Sequence, residues 1–361
     1  MAHPEITKYQ DCLKSFAYPN QAISRISNRS KLDQDLAFYH GSIPDFKIDQ
    51  YKIEESKAAR RLGQKTQVFT GVKNDHVRNR LSHTSEVKTN ASKISYVTGL
   101  NIELSEAGSL GHDLGHGPFG HLFEIVCRKM FPNLGTEFKH PVFSGICAVF
   151  IERDGDGLNL SQETLTGILN HSRGKGEFLI NKNSTNESSI VMYSDKISYI
   201  FSDYSDFKRL HLISDSDIKR ISLYFPGNQR NQINQCILGL VKESAFAQKI
   251  TFEKSEEAQK FKEVKDIMYQ YYETTDTVEN FDKLERVIDG IGSISDLKGY
   301  DPLLISGLMT DNDVLALTKE NKRFDMDDLK TLDVFEIIQN GCLDHTTYPE
   351  LEIQLKQKIA V

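Results

Sequence analysis

Of the 11 histidines in the chain, His112, His116 and His121 crowd into one glycine-rich run, Gly111-His112-Asp113-Leu114-Gly115-His116-Gly117-Pro118-Phe119-Gly120-His121. A surface helix has no use for that density of imidazole and glycine. On a helix, His112 and His116 share a face, and His112 with Asp113 offers a nitrogen and an oxygen ligand from one turn. Gly117-Pro118 is expected to end that helix and Pro118 to open the next. There His121 and Glu124, three positions apart, face the same way. A carboxylate so placed holds an imidazole's second N–H and raises its proton affinity, as a general acid requires.

A divalent metal needs more donors than His112 and Asp113. Upstream, Arg80-Leu81-Ser82-His83 supplies a histidine beside an arginine. Downstream, Ser194-Asp195-Lys196-Ile197 supplies an aspartate on a helical stripe. His83, His112, Asp113 and Asp195 form a two-nitrogen, two-oxygen set. It suits Mn²⁺ or Mg²⁺, or Fe²⁺ or another transition metal, better than it suits a thiolate zinc site. Four protein ligands leave positions for water and substrate oxygens. A lone histidine or aspartate is usually a satisfied polar residue. The ordered combination points instead to a metal-dependent phosphohydrolase.

The elements that must position these groups are helical. Apolar residues recur at steps of three and four over 86–97, 104–110, 138–152, 188–204 and 231–248. Ser161 reads as a helix cap followed by acids, and 173–186 reads as a polar loop. Strand-like alternation is scarce, leaving room for one short hairpin at most. The expected fold is all-α: a catalytic core over residues 49–210, a helical extension over 1–48, and a helical region over 211–361 packed on the core. The chain has 361 residues, 39% of them hydrophobic, enough for a sizeable core. No run reaches the ~18 apolar residues of a membrane span. Met1-Ala2-His3-Pro4-Glu5 shows no basic n-region or apolar h-region, so no secretory signal, no membrane role and a cytoplasmic location are expected. Five scattered cysteines without CxxC spacing read as free thiols. A net charge of -7 argues against non-specific nucleic-acid coating, yet it leaves room for one cationic, anion-binding cleft.

The longer motifs resemble a known family. His…His-Asp…Asp is the pattern of the HD-domain metal-dependent phosphohydrolases, an all-helical group. Ala59-Arg60-Arg61-Leu62-Gly63-Gln64-Lys65-Thr66-Gln67-Val68-Phe69, Asp75 through Val87, the histidine-glycine run, Gly157 through His171, Glu187 through Asp203 and Ile305 through Asp311 resemble, in order, segments of the deoxyguanosine triphosphate triphosphohydrolases. The likeness spans about residues 49–315. Ala59 stands where an aromatic is usual, the usual basic segment is diluted to Asp49-Gln50-Tyr51-Lys52, and Lys196 replaces a second acid. The last change, with Tyr199, is closer to the vertebrate SAM-and-HD-domain dNTPases, which are less base-selective. These departures bear on base preference rather than on the reaction.

The resemblance implies hydrolysis of a dNTP, dGTP or others, to deoxynucleoside and tripolyphosphate, controlling deoxynucleotide pools. His121, oriented by Glu124, is then the candidate general acid, and His116 holds the α-phosphate. His140, Lys196 and Arg80 are further phosphate contacts, and Gln67 with Val68 faces the sugar. Tyr199 is read either against the triphosphate or sugar, or as packing. His171 is open between a supporting role and a substrate contact, and Arg60 and Arg61 between a role in the site and ordinary surface or interface charges. Asp203 and Asp206 are read as structural partners of Arg or Lys. The family implies a homo-oligomer, with a hexamer favoured, and an effector that is a second dNTP or single-stranded DNA. Two other readings compete: a different HD nucleotide phosphohydrolase, and a catalytically idle nucleotide- or ssDNA-responsive regulator.

Overall fold

The computed structural model describes residues 4–22, 24–26, 33–39, 41–70, 74–172, 184–272, 275, 278–319 and 323–359. Among them there is no strand ladder. The hairpin for which the sequence left room is absent there, and only two isolated bridges occur, Arg25 with Ser161 and Thr66 with Asn79. The fold is all-α. Its main helices are α1 (Asp45–Glu54), α2 (Arg80–Thr98), α3 (Ile102–Gly111), α4 (His121–Met130), α5 (His140–Ile146), α6 (Gln162–Asn170), α7 (Asn186–Arg209), α8 (Gln229–Ala247), α9 (Glu256–Tyr272), α10 (Val278–Ser293), α11 (Pro302–Leu308), α12 (Asp311–Thr318) and α13 (Tyr348–Ile359). All five periodic stretches are helical. The 138–152 stretch is α5 continued by a π-helical turn, Cys147–Ile151. Most of the polar 173–186 stretch lies outside the described residues.

Local chemistry sets the helix ends. Asn79 and Ser82 form a capping box at the start of α2, and Gly99, at φ 77°, closes it in the left-handed conformation. Asn101 caps α3. Ser161 caps α6 by accepting from the Thr164 N–H, as its sequence context predicts, and Thr185 caps α7. Each cap satisfies backbone N–H groups that the helix itself leaves open.

The histidine-glycine run departs from the expected pair of helices. α3 ends at Gly111, so His112 and His116 lie in a turn, not on one helix face. Pro118 does not open the next helix. Phe119 and Gly120 intervene at φ 54° and 66°, and α4 begins at His121. The turn is forced by close packing. A Cβ on Gly115 would stand 2.1 Å from the Ser144 nitrogen, so only glycine lets the run lie against α5.

Two hydrophobic cores form. One gathers residues 53–62, 110–169 and 284–355, led by Phe123, Phe143, Ile168, Leu304 and Tyr348. The other gathers Leu13, residues 91–100 and residues 190–268, led by Ile94, Ile197, Phe201, Leu240 and Met268. The residues after 211 thus divide between the cores. α2 packs on both α3 and α7, which joins them. The segment before α1 is fastened by buried charge. Lys52 donates to Asp33, and Arg25 donates to Asp49 at 2.7 Å. Asp49 also accepts from the Ser161 N–H, the Ser161 hydroxyl and the Thr164 hydroxyl. None of the described helices is long and apolar enough to cross a membrane.

Candidate active site

His83 on α2 and Asp195 on α7 approach from one core, and His112 and Asp113 from the other. His83 Nε2 lies 3.0 Å from Asp195 Oδ1. His112 Nε2 lies 3.7 Å from the same oxygen and 3.5 Å from Asp113 Oδ2. One donor atom each of His83, His112 and Asp113 fall within 4.8 Å of one another. The four residues named from the sequence therefore meet.

Their protonation suits a cation. His112 Nδ1 donates to the Ser109 carbonyl at 2.7 Å, which leaves its Nε2 lone pair facing inward. That atom is buried without a hydrogen-bond partner among the described residues. Burial would raise the Asp113 carboxyl, but the His112 imidazole and the Arg80 guanidinium outweigh it and hold the group well below the usual carboxylate range. Burial also works on Asp195, and the His83 hydrogen bond and His112 bring it down to about 2. Two ionised carboxylates beside an orphaned imidazole nitrogen fit a divalent ion, so these groups could bind a metal.

Behind this set stand four more imidazoles. His116 and His140 stack with ring centres 4.3 Å apart, and His121 lies 5.2 Å from His116 and 5.3 Å from His140. Glu124 is shared. Its Oε1 accepts from His140 Nδ1 at 2.6 Å and from the His140 N–H at 2.9 Å. Its Oε2 is 3.7 Å from His121 Nδ1. The pairing expected from the three-residue spacing is present, but His140 holds the closer bond. The His121 side chain is 69% exposed. Loss of water on its inner side opposes its charged form, the Glu124 carboxylate outweighs that, and the imidazole ends above its ordinary value. His116 goes the other way: burial, then Arg80 and His140, push it well down. One histidine is thus poised to carry a proton and its neighbour to stay neutral.

The sequence reading left His171 open, and the structure puts it in the middle. Its Nδ1 donates to the Ile168 carbonyl at 2.6 Å, and burial, then His112 and His140, push it down to about 3. Its Nε2 lies 3.1 Å from His140 Nε2. Its spacing from His112 and His140 in the chain is large, so only the fold reveals the meeting.

Arg80, which the resemblance assigns to phosphate, donates instead to Asp113 Oδ2 at 2.8 Å, and its Nε has no partner among the described residues. Gln67 Oε1 is likewise buried and without a partner there, and Val68 packs on the second core. Lys196 is half-buried beside Asp195. The Tyr199 hydroxyl lies 3.1 Å from that of Tyr269. Asp203 and Asp206 both bind Arg78, the structural pairing expected of them. Arg61 is buried 3.7 Å from Glu152, whereas Arg60 is exposed.

Residues 80–200 match the HD domain model. The chain is 43% identical over 188 residues to a deoxyguanosinetriphosphate triphosphohydrolase-like protein of Caldanaerobacter subterraneus subsp. tengcongensis, across 52% of this chain and 53% of that protein. A protein of the same description from Clostridium tetani is 43% identical over 175 residues, across 48% and 49%. One from Pelagibacter ubique is 32% identical over 226 residues, across 57% and 60%. The chain spans about half the length of the curated relatives it matches. The stretch that carries His83, the histidine-glycine run and Asp195 thus matches an HD domain, and across it the chain is similar to proteins described as deoxyguanosinetriphosphate triphosphohydrolase-like.

Proposed function

We propose that the chain hydrolyses deoxynucleoside triphosphates, dGTP among them, to deoxynucleoside and tripolyphosphate. The observation that carries the reading is the pairing of two sites: a two-histidine, two-aspartate donor set beside a histidine whose proton affinity a carboxylate raises. The relatives' description points to the same substrate class.

His83, His112, Asp113 and Asp195 would hold a divalent ion, Mn²⁺ or Mg²⁺ by donor type. Such an ion supplies Lewis acidity toward a phosphate oxygen and lowers the pKa of water. His121 donates its proton to the 5′ oxygen as the bond to the α-phosphorus breaks, the attacking water leaves its OH on that phosphorus, and the water's other proton passes to solvent, from which His121 is reprotonated. Glu124 keeps His121 protonated beforehand. His116 and His140, stacked across the approach, offer N–H groups to phosphate oxygens. The Arg80 Nε–H and the Lys196 ammonium add cationic contacts. Gln67 Oε1 is free to accept from a sugar hydroxyl, with Val68 closing that side, and Tyr199 bounds the far end. A homo-oligomer, and activation by a second dNTP or single-stranded DNA, go with this reading.

The test incubates purified protein with Mn²⁺ or Mg²⁺ and each dNTP and NTP in turn, alone and then with a second dNTP or single-stranded DNA. Chromatography resolves nucleosides and phosphates. Deoxynucleoside with tripolyphosphate is expected. A monophosphate product, or silence under every condition, would overturn the proposal.

A further inference from the structure

The histidine turn is held from outside the matched HD domain. Asp311, the first residue of α12, divides its carboxylate between two segments distant in sequence. Oδ1 accepts the Phe119 N–H at 2.8 Å, and Oδ2 accepts the Thr66 N–H at 2.7 Å. Lys65, next to Thr66, reaches the other end of the turn. Its ammonium is buried and donates to the carbonyls of His116 and of Gly307. The backbone N–H of Arg80 donates to the Lys65 carbonyl at 3.1 Å. One bracket therefore ties His116, Phe119, Thr66, Arg80 and the α11–α12 corner.

The bracket has something to hold. Phe119 adopts φ 54°, a conformation that costs a non-glycine residue free energy and persists only when its surroundings impose it. A buried N–H there needs an acceptor, and Asp311 is that acceptor. Phe119 sits between His116 and His121, and Thr66 precedes Gln67. The spacing between the proton donor and the sugar-side segment is thus set by one carboxylate more than 100 residues beyond the HD match.

We propose that Asp311 and Lys65 are positioning residues, which fix the His116–His121 turn against the Thr66–Val68 segment so that His121 meets the leaving oxygen in line. The proposal rests on the reaction proposed above for its kinetic consequence, but not for its structural one. Misplacement of reacting groups by about 1 Å can cost on the order of 100-fold in rate. Asp311→Asn keeps the shape and one acceptor oxygen but sets an N–H₂ against one of the two amide N–H groups. It is expected to lower kcat by about 100-fold with KM within about threefold and metal content unchanged. Amide hydrogen exchange should quicken in peptides covering Thr66 or Phe119 and stay the same elsewhere.

Lys65→Met is the second variant. It should show the same selective loss of kcat, with faster exchange around His116. Wild-type kcat in either folded variant would overturn the proposal, and so would unchanged exchange in both segments. If the wild-type chain turned over no dNTP, the functional reading would fail while the exchange arm still decided the bracket.

Discussion

Arg80 Nη1 donates to Asp113 Oδ2 at 2.8 Å with both side chains buried. The arginine therefore acts on a candidate ligand, besides the phosphate contact proposed for its Nε–H. Arg80→Gln removes a charge that keeps the carboxylate ionised, second only to His112 among the neighbours that do so. A charge-assisted hydrogen bond of this kind contributes about 1.5–3 kcal/mol, so kcat/KM should fall roughly 10- to 100-fold. The Asp113 pKa, depressed in the wild type, should rise, and the acid limb of the pH–rate profile should move to higher pH. An unmoved acid limb would show that Arg80 does not set the ionisation of Asp113.

Glu124 serves His140 and His121 at once. The His121 pKa lies above its ordinary value because of this carboxylate, so its protonated form persists to higher pH and is lost as pH rises through the elevated value. Glu124→Gln should move the alkaline limb of kcat to lower pH and reduce kcat. His121→Ala should retain nucleotide binding and lose about 10²–10⁴-fold in kcat. Isothermal titration and stopped-flow turnover separate the two effects. Near-normal turnover without His121 would move the proton donor to another histidine.

Metal binding has a readout that needs no substrate. An ion that binds only the folded chain stabilises it by about 2.7 kcal/mol at a hundredfold excess over Kd. Dialysis against EDTA should lower Tm, and Mn²⁺ should restore it by an amount that grows with the logarithm of its concentration above Kd. Asp113→Ala and His112→Ala should show no such rise. A normal metal-dependent Tm in Asp113→Ala would remove that residue from the ligand set.

The N-terminal segment offers a test of stability alone. Lys52 and Asp33 are buried together, and removing one partner of such a pair typically costs about 3–5 kcal/mol because the other charge stays behind. Asp33→Ala should lower the urea midpoint accordingly. Adding Lys52→Met to it should recover most of the loss. If the double variant were as weak as the single one, burial of the uncompensated ammonium would not be the cause.

Much of this site was legible in the chain. His83, His112, Asp113 and Asp195 carry their meaning in residue type and order, and His121 with Glu124 in a local helical spacing that the structure keeps. The errors are tertiary. The helix expected through His112 and His116 stops at Gly111, and Pro118 opens nothing, because Gly115 lies too close to α5 and Phe119 and Gly120 take positive φ before α4 begins. His171 was undecided because its partners, His112 and His140, come from other segments. Glu124 favours His140 over His121 because α5 brings that imidazole closer than the spacing along α4 does.

The donors sit where the two hydrophobic cores meet, with His83 and Asp195 fixed in one and His112 and Asp113 in the other. An ion there would act as a rivet between two bodies, each with its own interior. The cores should then melt as one transition in the loaded protein and as two in the stripped one. Catalytic competence and whole-molecule cohesion would be a single mechanical property, and a substitution that loosens either body should register at the reacting atoms before any helix is lost.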